Sequence, residues 1–183
     1  AEPALTVSDH VGIPPHIYDY FQEVFNSMVS EEELERREEE RLQLYTQLAQ
    51  VHSELGIVIT PIAAQSSEFK VETFAVQKTF DDAALTKLVS YADKIVEADF
   101  SNTMLTDQSL ETLSKFENLR SLNLSQTQVE GQALEKLSQL EKLETLNLYG
   151  TNLSEDRVSE LSQLTQLKKL YLFQTALYEP SII

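Results

Sequence analysis

The chain of 183 residues contains no cysteine and no tryptophan, only four glycines and five prolines, and few basic residues. Without cysteine there is no disulfide, no thiolate nucleophile, no Cys-ligated zinc, no iron–sulfur cluster and no C-x-x-C-H haem attachment. Four glycines leave no room for a glycine-rich phosphate-binding loop, and neither G-x-S-x-G nor H-E-x-x-H occurs. No apolar run reaches the roughly 18 residues that a membrane-spanning helix needs, so no membrane insertion by this segment is expected. Thirty acidic side chains stand against fourteen basic ones, a formal net charge of −16. That field repels phosphate backbones and anionic lipid surfaces, which excludes nucleic acid as an expected partner. What remains is a chain that is 42% hydrophobic, enough for a core and too much for wholesale disorder. It opens Ala1-Glu2-Pro3, with no Met and no apolar leader, which reads as a chain whose leader was removed or as a portion of a longer one.

What is present in quantity is leucine, and it is periodic. Thr103, Thr127, Thr151 and Thr175 follow one another at steps of 24 residues. Around them the apolar positions keep the same step: Ile95, Leu119, Leu143 and Leu167; Ala98, Leu122, Leu146 and Leu170; Phe100, Leu124, Leu148 and Leu172; Leu105, Val129, Leu153 and Leu177. The second half of each unit runs Leu110-x-x-Leu113-x-x-Phe116, Leu134-x-x-Leu137-x-x-Leu140 and Val158-x-x-Leu161-x-x-Leu164. The pattern L-x-x-L-x-L-x-x-T-x-L followed by L-x-x-L-x-x-L is that of a leucine-rich repeat. Its L-x-L piece alternates and predicts a short strand; its three-residue steps predict a helix or 3₁₀ turn on the convex side. One unit cannot bury its leucines alone, and stacking supplies the core. The expected fold is therefore α/β: a leucine-rich-repeat solenoid with short parallel strands and convex helices, preceded by an N-terminal helical segment. Each Thr hydroxyl is expected to bond backbone at the turn after its strand. Before the clear repeats, Asp81–Tyr91 reads as a degenerate convex segment with its step off by about one residue. Phe69–Ala75 reads as a strand pairing at the N-terminal edge of the sheet.

The first part of the chain follows other rules. Residues 13–29 form an amphipathic pattern after Pro14-Pro15, with Ile17, Phe21, Val24, Phe25 and Met28 on one stripe. Ser30 with Glu33 reads as a capping box opening a second helix of roughly 25 residues, stopped by Gly56. Its first half is nearly all charge, with Glu32–Arg36 and Glu33–Arg37 at ion-pairing distance along the helix; its second half is amphipathic through Leu44, Leu48, Val51 and Leu55. The expected division is an N-terminal helical cap or linker over 1–55, a degenerate capping unit over 56–94 and the 24-residue repeats over 95–183.

No constellation points to catalysis, and neither a cofactor nor a metal is expected. Asp9, His10 and His16 read as an ordinary tail, and carboxylate pairs carry no weight in so acidic a chain. The outward strand positions are Glu97, Asp99 and Ser101; Ser121, Asn123 and Ser125; Thr145, Asn147 and Tyr149; Lys169, Tyr171 and Phe173. Polarity falls and aromatic content rises along that series. Asn123, Asn147, Tyr149, Lys169, Tyr171 and Phe173 are the candidate binding residues, because clustered exposed aromatics are the composition of binding hot spots. The same aromatics could instead shield the end of the sheet. After the strand Leu170–Phe173, Thr175 and Leu177, no L-x-x-L-x-x-L piece follows and only Tyr178–Ile183 remains, so this end is also a candidate surface for self-association.

Leu55-Gly-Ile-Val-Ile-Thr-Pro-Ile-Ala-Ala64, Ile95-Val-Glu-Ala-Asp-Phe-Ser-Asn-Thr103, Leu146-Asn-Leu-Tyr-Gly-Thr151 and Leu170-Tyr-Leu-Phe-Gln-Thr175 together resemble the leucine-rich C-terminal part of bacterial periplasmic proteins with planctomycete-type cytochrome c domains. The likeness spans about residues 55–177. In that family the haem sits on a C-x-x-C-H motif in a separate upstream domain, and a cysteine-free chain inherits no haem role from it. The resemblance implies an exported, periplasmic or secreted location and an interaction role beside a redox or membrane-anchored domain. The function expected is a non-catalytic scaffold binding a protein partner or another domain of the parent chain. The alternatives are a carbohydrate-binding or glycosidase-accessory module, and a purely structural spacer.

Overall fold

The computed structural model describes residues 30–175, together with Ile17 and Val24. The chain divides into two compact units, Ala1–Tyr45 and Thr46–Ile183. Ile17 and Val24 are helical; the remainder of the stripe read over 13–29, His10, His16 and the tail beyond Thr175 lie outside the described residues.

In the first unit Ser30 opens helix α1 (Glu31–Leu55), its Oγ accepting the backbone N–H of Glu33 at 3.2 Å. The reciprocal half of the capping box is a correction to the expectation. Both carboxylate oxygens of Glu33 are taken by arginines instead, from Arg36 Nε at 3.0 Å and from Arg37 Nε at 2.7 Å. The pairing of Arg36 differs for the same reason: it spans Glu33 and Glu40 rather than Glu32, because two carboxylates one turn to either side hold the guanidinium better than one. The two guanidiniums hold the Glu33 carboxyl below its ordinary value, Arg36 contributing most.

Within the second unit α1 turns apolar. Leu48 is buried, and Val51 and Leu55 pack on the core. Gly56 ends the helix in the left-handed region at φ +66°, its N–H bonded to the His52 carbonyl at 2.9 Å. A side chain there would be doubly disfavoured, since a Cβ would stand 2.9 Å from Val76 Cγ1.

The second unit is mixed α/β, built on an open, mostly parallel sheet of six strands whose spatial order is their chain order. These are β1 (Val58–Pro61), β2 (Phe69–Glu72), β3 (Ile95–Asp99), β4 (Ser121–Asn123), β5 (Thr145–Asn147) and β6 (Lys169–Tyr171). Only β1 and β2 run antiparallel. The placement of β2 corrects the sequence expectation: it pairs with β3 in parallel but is not the edge, because β1 adds outside it. The β1 signal, Val-Ile-Thr-Pro, is too short to alternate visibly, and Pro61 suits it to an edge.

From β3 to β6 the register advances by one repeat at every step, aligning Ala98, Leu122, Leu146 and Leu170. The connections carry α2 (Asp82–Thr86) with a 3₁₀ turn at Val89–Tyr91, α3 (Gln108–Leu113), a 3₁₀ helix at Leu134–Gln139, and a 3₁₀ turn at Glu155–Arg157 running into α4 (Val158–Leu161). Consecutive connections pack on one another in order. Three-residue spacing puts each apolar side chain on one line of a 3₁₀ helix, so Leu134 and Leu137 are both fully buried. The columns read from the sequence fill a single core through Leu119, Leu143, Leu122, Leu146, Leu124 and Leu148, all at zero exposure. Phe80 stacks on Phe100 at 5.4 Å.

Each turn after a strand repeats two devices. Asn102, Gln126, Gly150 and Gln174 adopt positive φ between 55° and 65°. The following Thr is buried and its hydroxyl donates to the carbonyl three residues back: Thr103 to Phe100 at 2.6 Å, Thr127 to Leu124 at 2.7 Å, Thr151 to Leu148 and Thr175 to Leu172 at 2.8 Å. Asp82 and Asp107 then tie successive units, accepting from Thr106 N at 3.0 Å and from Gly131 N at 3.0 Å.

Thr127→Val keeps the volume and removes one of these buried bonds. Chemical denaturation should show a loss of about 0.5–1.5 kcal/mol, with the same for Thr151→Val. Unchanged midpoints for both would show that the hydroxyls contribute nothing.

Candidate functional site

Alternation in β3–β6 turns one side chain inward and its two neighbours outward, so the register sets the outer face of the sheet in rows. One row runs Lys70, Glu97, Ser121, Thr145, Lys169; the next runs Glu72, Asp99, Asn123, Asn147, Tyr171. Between them lies a shallow trough of about 240 Å³, lined from Lys70, Glu97 and Asp99 at one end, past Asn123 and Asn147, to Tyr171 at the other. Of the six candidate residues, Asn123, Asn147, Lys169 and Tyr171 stand in these rows, whereas Tyr149 and Phe173 follow the ends of β5 and β6.

Asn123 and Asn147 are half-buried and work for the fold. Asn123 Oδ1 accepts the backbone N–H of Ser125 at 3.0 Å, and Asn147 Oδ1 that of Tyr149 at 3.0 Å. Asp99 does the same for Ser101 at 2.9 Å. These are Asx turns at the ends of β3, β4 and β5, and Asp99, Asn123 and Asn147 recur at the 24-residue spacing of the repeat. Ser125, read as outward, is buried, because the turn it enters folds back on the core.

Tyr171 stands where the next Asx would be. Its phenol replaces the short Asx side chain, and the residue is 51% exposed. Phe173 is 62% exposed and stacks on Tyr149, centroids 6.2 Å apart and planes 23° from parallel. The Tyr149 hydroxyl donates to Gln174 Oε1. Lys169 and Leu170 are exposed as well.

The far end of the trough is acidic. Lys70 Nζ sits 2.9 Å from Glu72 Oε1. Its ammonium is held above the ordinary lysine value by that bond first and by Glu97 and Asp99 after it. One ammonium therefore faces three carboxylates, and the balance there is negative.

No protein-family model matches the chain, and no curated protein matches it. The geometry of this face is what bears on function. Among the described residues no three His, Asp or Glu side chains stand close enough to hold a metal ion. No described helix is long and apolar enough to cross a membrane.

Because Tyr171 is exposed and Leu146 is fully buried, their truncations should separate. Tyr171→Ser should cost less than about 1 kcal/mol in urea unfolding, and Leu146→Ala about 2–5 kcal/mol. Equal losses would mean that Tyr171 is part of the core and not a spare surface.

Proposed function

We propose that this chain is a leucine-rich-repeat module that acts by binding, without catalysis, and that its ligand surface is the outer face of the sheet. The repeat reading is supported by four parallel strands offset by 24 residues with aligned leucines, by 3₁₀ segments in the connections, and by the repeated threonine bond. The observation that carries the binding reading is the ordered face itself. Side chains of fixed spacing run from carboxylates to exposed aromatic rings, held by a register that the buried leucines set. A rigid row of this kind needs no rearrangement to meet a partner, which lowers the entropic cost of association. Tyr149, Tyr171 and Phe173 supply the large, stiff contact area that dominates binding energy. The partner is a protein or a further domain of the parent chain, and the resemblance over residues 55–177 favours an exported, periplasmic or secreted setting. The exposed end at β6, where Leu170, Tyr171 and Phe173 meet solvent, also suits self-association.

Site-directed photo-crosslinking tests the choice of face. A benzophenone side chain at Thr145, on the sheet, should give discrete crosslinked species in an extract of the source cells. The same group at Gln139, in a connection, should give none. Crosslinks from Gln139 alone would move the binding surface off the sheet.

A further inference from the structure

The two ends of the face differ in chemistry, and their separation is fixed. Glu97 is exposed and Asp99 half-exposed on β3, beside Glu72 and Lys70 on β2. Tyr171 and Phe173 lie on and just beyond β6. Three strand steps separate β3 from β6, or roughly 14 Å at about 4.8 Å per step. The trough runs from Lys70, Glu97 and Asp99 past short polar groups, Ser121, Asn123, Thr145 and Asn147, to Tyr171.

We infer that the face takes an extended peptide laid across the strands, with a lysine or arginine side chain at Glu97 and Asp99 and an aromatic or branched apolar side chain against Tyr171 and Phe173. This deepens the proposed function and rests on it. At about 3.3 Å per extended residue, the two anchors stand roughly four to five residues apart. The basic anchor follows from charge: three carboxylates surround a single ammonium already engaged by Glu72, within a chain of net charge −16. Lys169 fixes the polarity. It stands exposed at the aromatic end, where it repels a second basic group and disfavours the reversed peptide. The intervening residues need only be small, because the middle of the trough offers hydroxyls and amides on half-buried side chains and no deep pocket.

A display library of random peptides, long enough to cover the face, selects for this pattern directly on the intact chain. Enriched sequences should carry a basic and an aromatic or branched apolar residue about four to five positions apart. A peptide made from the consensus should bind in fluorescence anisotropy and weaken as salt rises from roughly 0.05 to 0.5 M. Glu97→Gln with Asp99→Asn should weaken it about tenfold; asparagine keeps an acceptor for the Ser101 N–H, so the turn is retained. Tyr171→Ser should weaken it similarly but leave the salt dependence unchanged. Enrichment without a basic residue or without fixed spacing, or no enrichment, overturns the peptide inference. If crosslinks from Thr145 persist in that case, the sheet face still binds and only its ligand has been misread. Loss of both results removes the binding reading as well.

Discussion

A unit of 24 residues presents a handful of leucines and has no way to cover them by itself. That constraint governs the rest of the structure. Leu122 reaches zero exposure because Ala98 lies on one side of it and Leu146 on the other, in register across β3, β4 and β5. At the β6 position of the same column Leu170 is 37% exposed. Burying one leucine side chain stabilises by roughly 1.5–3 kcal/mol, so the stability of each unit depends largely on its neighbours. The Asx turns, the positive-φ residues and the threonine bonds are consequences of that arrangement. The positive-φ residues and threonine bonds recur after β3, β4, β5 and β6 and the Asx turns after β3, β4 and β5, so that each next strand arrives one repeat further on in register.

The same constraint leaves the outer face free to vary. In a three-residue strand the middle side chain is committed to the core and its two neighbours are not. The rows Glu97–Ser121–Thr145–Lys169 and Asp99–Asn123–Asn147–Tyr171 change from acidic through polar to basic and aromatic without disturbing a leucine. A face whose spacing is fixed from behind and whose chemistry is set residue by residue is suited to recognition. The proposed binding role rests on that separation of duties within each strand.

The strands β3–β6, their parallel order and the apolar columns were legible because one signal was repeated in phase, and each repeat corrected noise in the others. The edge strand β1 was not, since its four residues occur once and carry no period. The rerouted pairs of Arg36 were also hidden: along a helix several partners lie at equivalent spacing, and the sequence does not say which is chosen. At the candidate site the aromatics were readable as outward residues. Asn123 and Asn147 line the trough, yet their side-chain oxygens serve the backbone. Only the recurrence of Asx at strand ends, beside a serine or tyrosine two residues on, hinted at that use.

Native-state hydrogen exchange tests the shared core most directly, because three equivalent amides differ only in their neighbours. Phe100 N–H bonds the Asn123 carbonyl, Leu124 N–H that of Asn147 and Leu148 N–H that of Tyr171, each at 2.9 Å. If stacking holds the structure, Phe100 and Leu124 should exchange through one common, large opening, and Leu148, bonded to the exposed strand, through a smaller one. Three equal opening energies, or the greatest protection at Leu148, would contradict a core whose units depend on one another.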